Sequence, residues 1–188
     1  MIIFVDDKGI CFSMAEEYRY RVAREDDFPA VWMLLHGSAL IMVERGRRQW
    51  DEHYPTKTSI ENDIVLCQGY VLVLDGEVVA YQAVSLTGEP AYDQLKGKWL
   101  SQGGYATVHR MAVSPSRRGR GLSKLLMSYA EQTTLAAGFN SLRIDTNYDN
   151  VEMLSLIGRC GFTECGTVQY EHNGVMVERI AFEKILAS

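Results

Sequence analysis

The sequence predicts a single α/β domain in which strands and helices share one hydrophobic core. Its 188 residues, 47% hydrophobic and 23% charged, fall within the range of one globular domain. Residues 109–166 read as a strand, a turn, an amphipathic helix, a second strand and a short helix. Two β-rich runs separated by Asp75-Gly76 predict an antiparallel pair. We therefore expect one domain over residues 1–188 that combines helices with a mixed sheet.

The first third of the chain is predicted to contain a hairpin, a strand and two helices. Asp7-Lys8-Gly9 lies between two apolar runs, so residues 1–18 are interpreted as a hairpin extension of the domain. A strand is expected at residues 19–24. Three acidic residues and an early proline then mark a helix start, and apolar residues recur at helical spacing over residues 31–43. A second helix is expected around residues 59–67.

The middle of the chain predicts an antiparallel pair followed by a long excursion and a strand. Residues 70–74 and Glu77–Ser85 form the pair around the Asp-Gly turn. Residues 86–104 are rich in glycine, which favours a path over the surface. Residues 105–113 then have the composition of a strand, and a Ser-Pro dipeptide ends it.

The remaining elements follow from periodicity and capping patterns. Apolar residues on one face predict a helix over residues 122–137, and a glycine directly after it is a typical helix stop. Leu142 and Ile144 alternate with polar residues in a further strand. Asp149 and Glu152 have the spacing of a capping box before a short helix. Two final strands are expected to form a hairpin, at residues 163–170 and 175–185, with His172-Asn173-Gly174 as the turn.

Charge and composition exclude several functional classes. The net charge of −5 supplies no overall basic field, so we expect no nucleic-acid partner. The start of the chain lacks the basic and long apolar segments of a secretory signal, and no apolar run is long enough for a membrane span. We therefore expect a soluble cytoplasmic protein with no membrane partner. The few cysteines, in apolar surroundings, are interpreted as reduced and structural.

The segment from residue 118 to residue 123 suits the binding of a pyrophosphate. It lies between a strand and an amphipathic helix, so backbone N–H groups and the helix dipole converge there, and glycine permits close approach. Arginine side chains add charge-assisted contacts. The alternative is a glycine-rich turn with solvated arginines. The residues concerned are Arg118, Gly119, Arg120, Gly121, Leu122 and Ser123.

These residues resemble the cofactor-binding motif of the GNAT superfamily of acyl-CoA-dependent N-acyltransferases. In the motif [Q/R]-x-x-G-x-[G/A], Arg118 takes the first position and Gly121 the fourth, while Ser123 stands where glycine or alanine is usual. The resemblance extends over most of residues 20–185. It is strongest to a bacterial subgroup with further short segments, here Gln49-Trp50, Tyr54-Pro55, Gly97 to Leu100, His109 to Val113, and Asp145-Thr146 followed by Asn150.

The resemblance implies a central, mostly antiparallel sheet with two splayed parallel strands and helices on both faces. It also implies that acetyl-CoA is the co-substrate and that no metal is required. Backbone groups of Met111, Ala112 and Val113 would pair with the pantetheine arm, residues 118–123 would hold the pyrophosphate, and Asn150 would contact the arm. The alternative for Asn150 is a helix cap. A homodimer is implied as well, since many members pair through their sheets.

The function implied is transfer of an acetyl group from acetyl-CoA to a primary amine of a small molecule or peptide by direct attack. Such a reaction needs a base for the amine and an acid for the leaving thiolate. In the family a tyrosine often supplies the acid, but here Ile157 occupies its position. Thr146, Tyr148 or water would have to replace it. The missing tyrosine keeps open an alternative, an acyl-CoA-binding sensor or regulatory module without turnover.

The base and the acceptor site have less specific candidates. His109 lies on the strand where relatives place a carboxylate or a water, and the ordinary pKa of imidazole suits a base. Asp145 is a second candidate, and for both residues a structural hydrogen bond is the alternative. Trp50 and Tyr54 fall in a region that borders the acceptor site in the superfamily. They either cover a substrate or pack in the core.

Overall fold

The strands form one large sheet and one small sheet in the computed structural model, which describes residues 2–5, 11–14, 17–172 and 174–187. The eight-stranded sheet has the order β3-β4-β5-β7-β8-β10-β9-β6. Its strands are β3 (Arg19–Val22), β4 (Gly69–Leu74), β5 (Glu77–Ser85), β6 (Lys96–Gly97), β7 (Ala106–Val113), β8 (Ser141–Thr146), β9 (Thr163–His172) and β10 (Val175–Ile185). The strands β1 (Ile2–Val5) and β2 (Cys11–Met14) pair antiparallel as a separate sheet.

Two predicted turns lie wholly or partly outside the described residues. These are Asp7-Lys8-Gly9, between β1 and β2, and the centre of the His172-Asn173-Gly174 turn, between β9 and β10. The strands on either side of each turn pair antiparallel. That residues 1–18 extend one domain of residues 1–188 stays a prediction.

The sheet is mixed because β7 and β8 run parallel, while its other neighbouring strands are antiparallel in the described part of the chain. The parallel pairing covers only Ala106 with Leu142 and Thr107 with Arg143. Beyond these residues the two strands separate. The predicted sheet with two splayed parallel strands is confirmed.

Helices cover both faces of the sheet. They are α1 (Phe28–Glu44), α2 (Lys57–Val65), α3 (Leu122–Ala136) and α4 (Val151–Arg159). Tyr81 of β5 packs in a cluster with α1 and α2, whereas its neighbour Ala80 packs in a cluster with α3. Successive side chains of a strand point to opposite faces, so α1 and α3 lie on opposite sides of the sheet. In the described part of the chain no helix is long and apolar enough to cross a membrane.

The start of α4 differs from the predicted capping box. Asn150, not Asp149, is the N-cap: its side-chain oxygen accepts from the backbone N–H of Met153 at 3.3 Å. Asp149 accepts instead from the backbone N–H of Arg48, and Glu152 forms ion pairs with arginines of the segment after α1. The spacing rule failed because distant partners engage Asp149 and Glu152, while Asn150, which caps helices as well as aspartate does, stands one position later.

The predicted surface excursion at residues 86–104 is partly wrong. It contains a short 3-10 helix, Pro90–Gln94, and the edge strand β6, and Tyr92 is only 2% exposed. Glu183, which is fully buried, accepts hydrogen bonds from Ser101 and from the backbone N–H of Leu100. Arg143 pairs with Glu183 and lies between two aromatic rings, those of Trp99 and Tyr105. A buried charged group thus holds this segment against the sheet.

Candidate active site

A cleft opens where β7 and β8 separate. It encloses about 470 Å³, a volume within the usual range for sites of small ligands and cofactors. Val108 to Val113 line one wall, and Asp145 of β8 and Met153 of α4 line another. The start of α3, the connection between α1 and α2, the second half of α1 and Arg179 of β10 also line it. The edge of β7 beyond its pairing with β8 therefore faces the cleft and includes Met111, Ala112 and Val113, whose pairing with the pantetheine arm stays a prediction.

A bulge in β7 brings neighbouring side chains to this cleft. Arg110 has a φ of 50°, in the left-handed region that a non-glycine residue rarely adopts. The register between β5 and β7 shifts at this point, so that Tyr81 pairs with Ala112 whereas Ala83 pairs with His109. A bulge places an extra residue in one strand and redirects its side chains. His109 and Arg110, although adjacent, both line the cleft.

The turn at residues 118–123 has the backbone of an anion site. Gly119 and Gly121 each have a φ of 77°, and a Cβ atom added at either position would have no neighbouring atom within 4 Å. Gly121 is the N-cap of α3 and provides no side-chain cap, so the first N–H groups of the helix are left for another acceptor. Arg118 and Ser123 also line the cleft. These features fit the phosphates of acetyl-CoA.

Asn150 lies at the centre of a small hydrogen-bond network. Its side-chain nitrogen donates to Gln49 Oε1 at 2.9 Å, in addition to the cap that its oxygen provides. The same Gln49 oxygen accepts from the Thr146 hydroxyl at 2.8 Å and from the backbone N–H of Asn147. Asn150 and Gln49 line the cleft, whereas Thr146 is fully buried behind them. The network fixes the connection after α1 against the end of β8.

A group of charged and aromatic side chains, which we name the inner cluster, lines the cleft away from the turn. It consists of Tyr54, His109, Arg110, Asp145 and Arg179. All of them are buried or half-buried. The turn and the inner cluster are thus two differently built parts of one cleft.

Arg110 is fixed by a carboxylate below the cleft. Its guanidinium donates from Nε to Asp63 Oδ2 at 2.7 Å and from Nη2 to Asp63 Oδ1, which makes a bidentate pair. Nη1 donates to the Tyr54 hydroxyl at 3.1 Å. Tyr81, fully buried, donates its hydroxyl to Asp63 at 2.7 Å, and burial raises the pKa of Tyr81 strongly. These contacts keep the left-handed residue of the bulge in place.

Asp145 is similarly surrounded by donors. Its Oδ1 accepts from the hydroxyls of Tyr92 and Tyr170, both at 2.9 Å, and Oδ2 accepts from Arg179 Nη1 at 3.1 Å. The Arg179 guanidinium also lies over the Tyr170 ring, 4.4 Å from its centre. Asp145 therefore makes the structural hydrogen bonds that were the alternative to a catalytic role, although it also lines the cleft.

His109 is held in its uncharged form. Burial, followed by the charge of Arg110, lowers its pKa from 6.5 to about 4. Its Nε2 lies 3.4 Å from Oε2 of Glu89, a carboxylate on the segment after β5. Burial raises the pKa of Glu89. A neutral imidazole retains a lone pair on one nitrogen, which is what a base in the cleft requires.

The remaining candidates are placed as follows. Trp50 is 5% exposed and packs in the cluster formed by α1, α2 and β5, with Tyr54 packed against it, as in the core-packing alternative, and both residues also line the cleft. Ile157 is 1% exposed and packs in the core. The Tyr148 hydroxyl donates to Glu178 on the surface. Within the described residues, no three His, Cys, Asp or Glu side chains are grouped to hold a metal ion.

Comparison with known proteins decides the family. A sequence profile described as the acetyltransferase (GNAT) family matches residues 40–162, which include the turn and the start of α4. The chain belongs to the GNAT family of acetyltransferases. The fold agrees with this assignment: a GNAT acetyltransferase from Streptococcus agalactiae superimposes with a TM-score of 0.78 at 28% identity, covering 94% of this chain and 100% of that one.

Other similar proteins are more distant or match a shorter segment. The Salmonella typhimurium protein yncA, solved with its cofactor acetyl-CoA, has a TM-score of 0.65 at 15% identity and covers 90% of this chain and 94% of its own. Streptothricin acetyltransferase from Escherichia coli is 31% identical over 58 residues, and IAA acetyltransferase from Azospirillum brasilense is 32% identical over 66. These matches span 31% and 35% of this chain, and only 33% and 43% of the two relatives.

Proposed function

We propose that this GNAT protein transfers an acetyl group from acetyl-CoA to a primary amine of a small molecule or peptide. The observation that carries the proposal is a single cleft lined both by the uncapped start of α3, which follows two left-handed glycines, and by an uncharged histidine. The first feature suits the phosphates of the donor, and the second suits an acceptor that must lose a proton. The named acetyltransferase relatives support the reaction class.

Acetyl-CoA supplies an acetyl group activated as a thioester. The chain's own residues would bind it along the cleft: N–H groups of residues 118–123 at the pyrophosphate, the open edge of Met111 to Val113 along the pantetheine arm, and Asn150 beside it. In the transfer, the amine nitrogen forms a bond to the acetyl carbon, the carbon–sulfur bond breaks, and CoA leaves as the thiol. His109 would accept the amine proton, while water would protonate the thiolate because Ile157 faces the core.

The inner cluster would form the acceptor site. Arg110 and Arg179 are each neutralised by a buried aspartate, Asp63 and Asp145, so neither pair leaves a net charge at the cleft. Glu89, behind His109, adds a further acidic group. This balance lets an acceptor approach as an ammonium ion without repulsion, and His109 would take up the proton that the attacking amine nitrogen releases as the C–N bond forms.

A thiol-release assay tests the proposal. The protein is incubated with acetyl-CoA and a panel of polyamines, amino acids, aminoglycosides and peptides with free N-termini, and the thiol is measured with and without each amine. We expect amine-dependent release with at least one class. Release with none of them, together with no rise in Tm at millimolar acetyl-CoA, would refute the proposal.

A second candidate function is an acyl-CoA-binding sensor without turnover, and the burial of Ile157 favours it. Its signature in the same experiment differs. Acetyl-CoA would raise the Tm and compete with a CoA analogue, but no amine would release thiol.

A further inference from the structure

Glu89, on the segment after β5, lies beside His109 of β7. The two residues are distant in sequence, and no motif links them: His109 lies in β7, and Glu89 follows β5, whose end pairs with β7 at Ser85 and Thr107. Glu89 Oε2 is 3.4 Å from His109 Nε2, and the two side chains are 20% and 15% exposed. This is a carboxylate–imidazole pair at the wall of the cleft.

The orientation of Glu89 is determined by its neighbours. It is the N-cap of the 3-10 helix Pro90–Gln94, and its Oε1 accepts from the backbone N–H of Ala91 at 3.3 Å. Its own backbone N–H donates to the Tyr105 hydroxyl at 3.2 Å. With one carboxylate oxygen used in the cap, the other is directed at the imidazole.

The surroundings of His109 determine how many protons its imidazole carries and on which nitrogen. The groups that act on His109 are Arg110 and Arg179, which disfavour a further proton, and Asp145 and Asp63, which favour it. Burial has the largest effect on the pKa of His109 and leaves the imidazole neutral above a pH of about 4. A neutral imidazole has one N–H group and one lone pair. A carboxylate accepts but does not donate, so the N–H belongs on the nitrogen that faces Glu89.

We propose that Glu89 is a positioning residue that holds His109 in the Nε2–H tautomer and leaves the Nδ1 lone pair for the amine in the cleft. The proposal deepens the proposed function and rests on it for its catalytic meaning. As the C–N bond forms, Nδ1 takes the proton that the amine nitrogen releases, and the carboxylate of Glu89 stabilises the imidazolium until that proton passes to solvent. Glu89 itself does not contact the acceptor.

The tautomer can be measured without any turnover. Protein labelled with 15N in its histidine rings is studied by NMR through long-range proton–nitrogen correlations, and the spectrum of His109→Gln identifies the signals of His109 among those of the four histidines. We expect an Nε2–H tautomer in the wild type that persists from pH 7 to about pH 5, because the ring titrates near pH 4. A wild-type Nδ1–H tautomer would overturn the proposal, whatever any variant does.

The substitution Glu89→Gln reverses the expected hydrogen bond. If the amide oxygen keeps the contact with Ala91, the amide N–H points at Nε2 and forces the proton to Nδ1. The NMR signature should therefore switch to Nδ1–H. A matched control is Glu52→Gln, since Glu52 lies 3.5 Å from His53 in a pair that is 78% and 64% exposed. This control should leave the His109 signals unchanged, and an unchanged His109 tautomer in Glu89→Gln would contradict the proposal.

Turnover gives the second readout. With an amine identified by thiol release, Glu89→Gln should lower kcat about 100-fold and change the Kd of acetyl-CoA by less than about twofold, and Glu89→Asp should recover part of kcat. An unchanged kcat in Glu89→Gln would remove the positioning role. If the wild type turns over no amine although the tautomer switches as expected, the proposed function fails while the Glu89 contact stands.

Discussion

The turn at residues 118–123 and the inner cluster line the same cleft, but they are built in opposite ways. The turn consists of consecutive residues, of which Arg118 to Gly121 are exposed, and its distinguishing feature is the left-handed backbone at two glycines. The inner cluster consists of buried side chains from β7, β8, β10 and the connection after α1, with partners on α2 and after β5. Changes in the turn should therefore alter acetyl-CoA affinity with little cost in stability, whereas changes in the cluster should alter stability first.

The largest effect is expected from Asp63→Ala. The substitution leaves the guanidinium of Arg110 and the hydroxyl of Tyr81 without the carboxylate that they share. Breaking a buried ion pair by removing one partner costs roughly 3–5 kcal/mol, and we expect this loss in the free energy of unfolding measured by urea denaturation. Glu52→Ala, which removes an exposed carboxylate, should cost less than about 0.5 kcal/mol.

The double substitution Asp63→Leu with Arg110→Leu separates the two causes of that loss. It removes both charges, so no guanidinium is left buried without a carboxylate, and most of the lost free energy of unfolding should return. A single Asp63→Ala variant that loses less than about 1 kcal/mol would mean that the cluster does not depend on this pair.

The contrast between the two regions also explains what could be predicted from the sequence. The order of most helices and strands follows from local periodicity, and the splayed pair is implied by the family resemblance that the six-residue motif of the turn carries. Glu89 and Asp63 gave no local signal, because their partners His109 and Arg110 lie 20 and 47 residues away. Only the strand register and the bulge at Arg110 bring these side chains together. A buried arginine that adopts a left-handed conformation cannot be predicted from composition.

The wrong prediction of the N-cap of α4 also results from partners that are distant in the sequence. Asp149 and Glu152 satisfy the spacing rule, but Arg48, Arg45 and Arg47 from the segment after α1 engage both side chains. Local capping patterns assume that no distant partner competes. Here distant arginines compete, and Asn150 caps the helix instead.

In the turn, Gly121→Glu should act on affinity rather than on the fold. The new side chain projects a negative charge at the expected pyrophosphate position, and the left-handed φ of 77° adds strain of about 1–2 kcal/mol. We expect the Kd of acetyl-CoA, measured by calorimetry, to rise about 100-fold, which corresponds to roughly 2.7 kcal/mol.

Gly138→Glu is the matched control for this substitution. Gly138 has a φ of 82°, an added Cβ atom meets nothing within 4 Å, and the residue lies just past the other end of α3. It introduces the same strain and charge away from the turn, so the Kd should not change. If both variants lose affinity equally, or neither does, the pyrophosphate does not lie at the turn.

The smallest expected effect concerns Asn150, which lines the cleft and donates to Gln49. Asn150→Ala removes the N-cap of α4 and should lower the free energy of unfolding by about 1 kcal/mol. Asn150→Asp keeps a capping oxygen but places it against Gln49 Oε1, where the amide donated before. If Asn150 also contacts the pantetheine arm, both substitutions should raise the Kd of acetyl-CoA about fivefold, or roughly 1 kcal/mol.

Thr56→Ala distinguishes a loss of capping from a loss of cofactor contact. Thr56 caps α2 by accepting from the backbone N–H of Ser59 at 3.0 Å, so its removal should cost about the same stability without touching the cleft. Equal changes in Kd for Asn150→Ala and Thr56→Ala would mean that Asn150 serves only as a helix cap. A larger change for Asn150 would mean that the side chain that caps α4 also binds the donor.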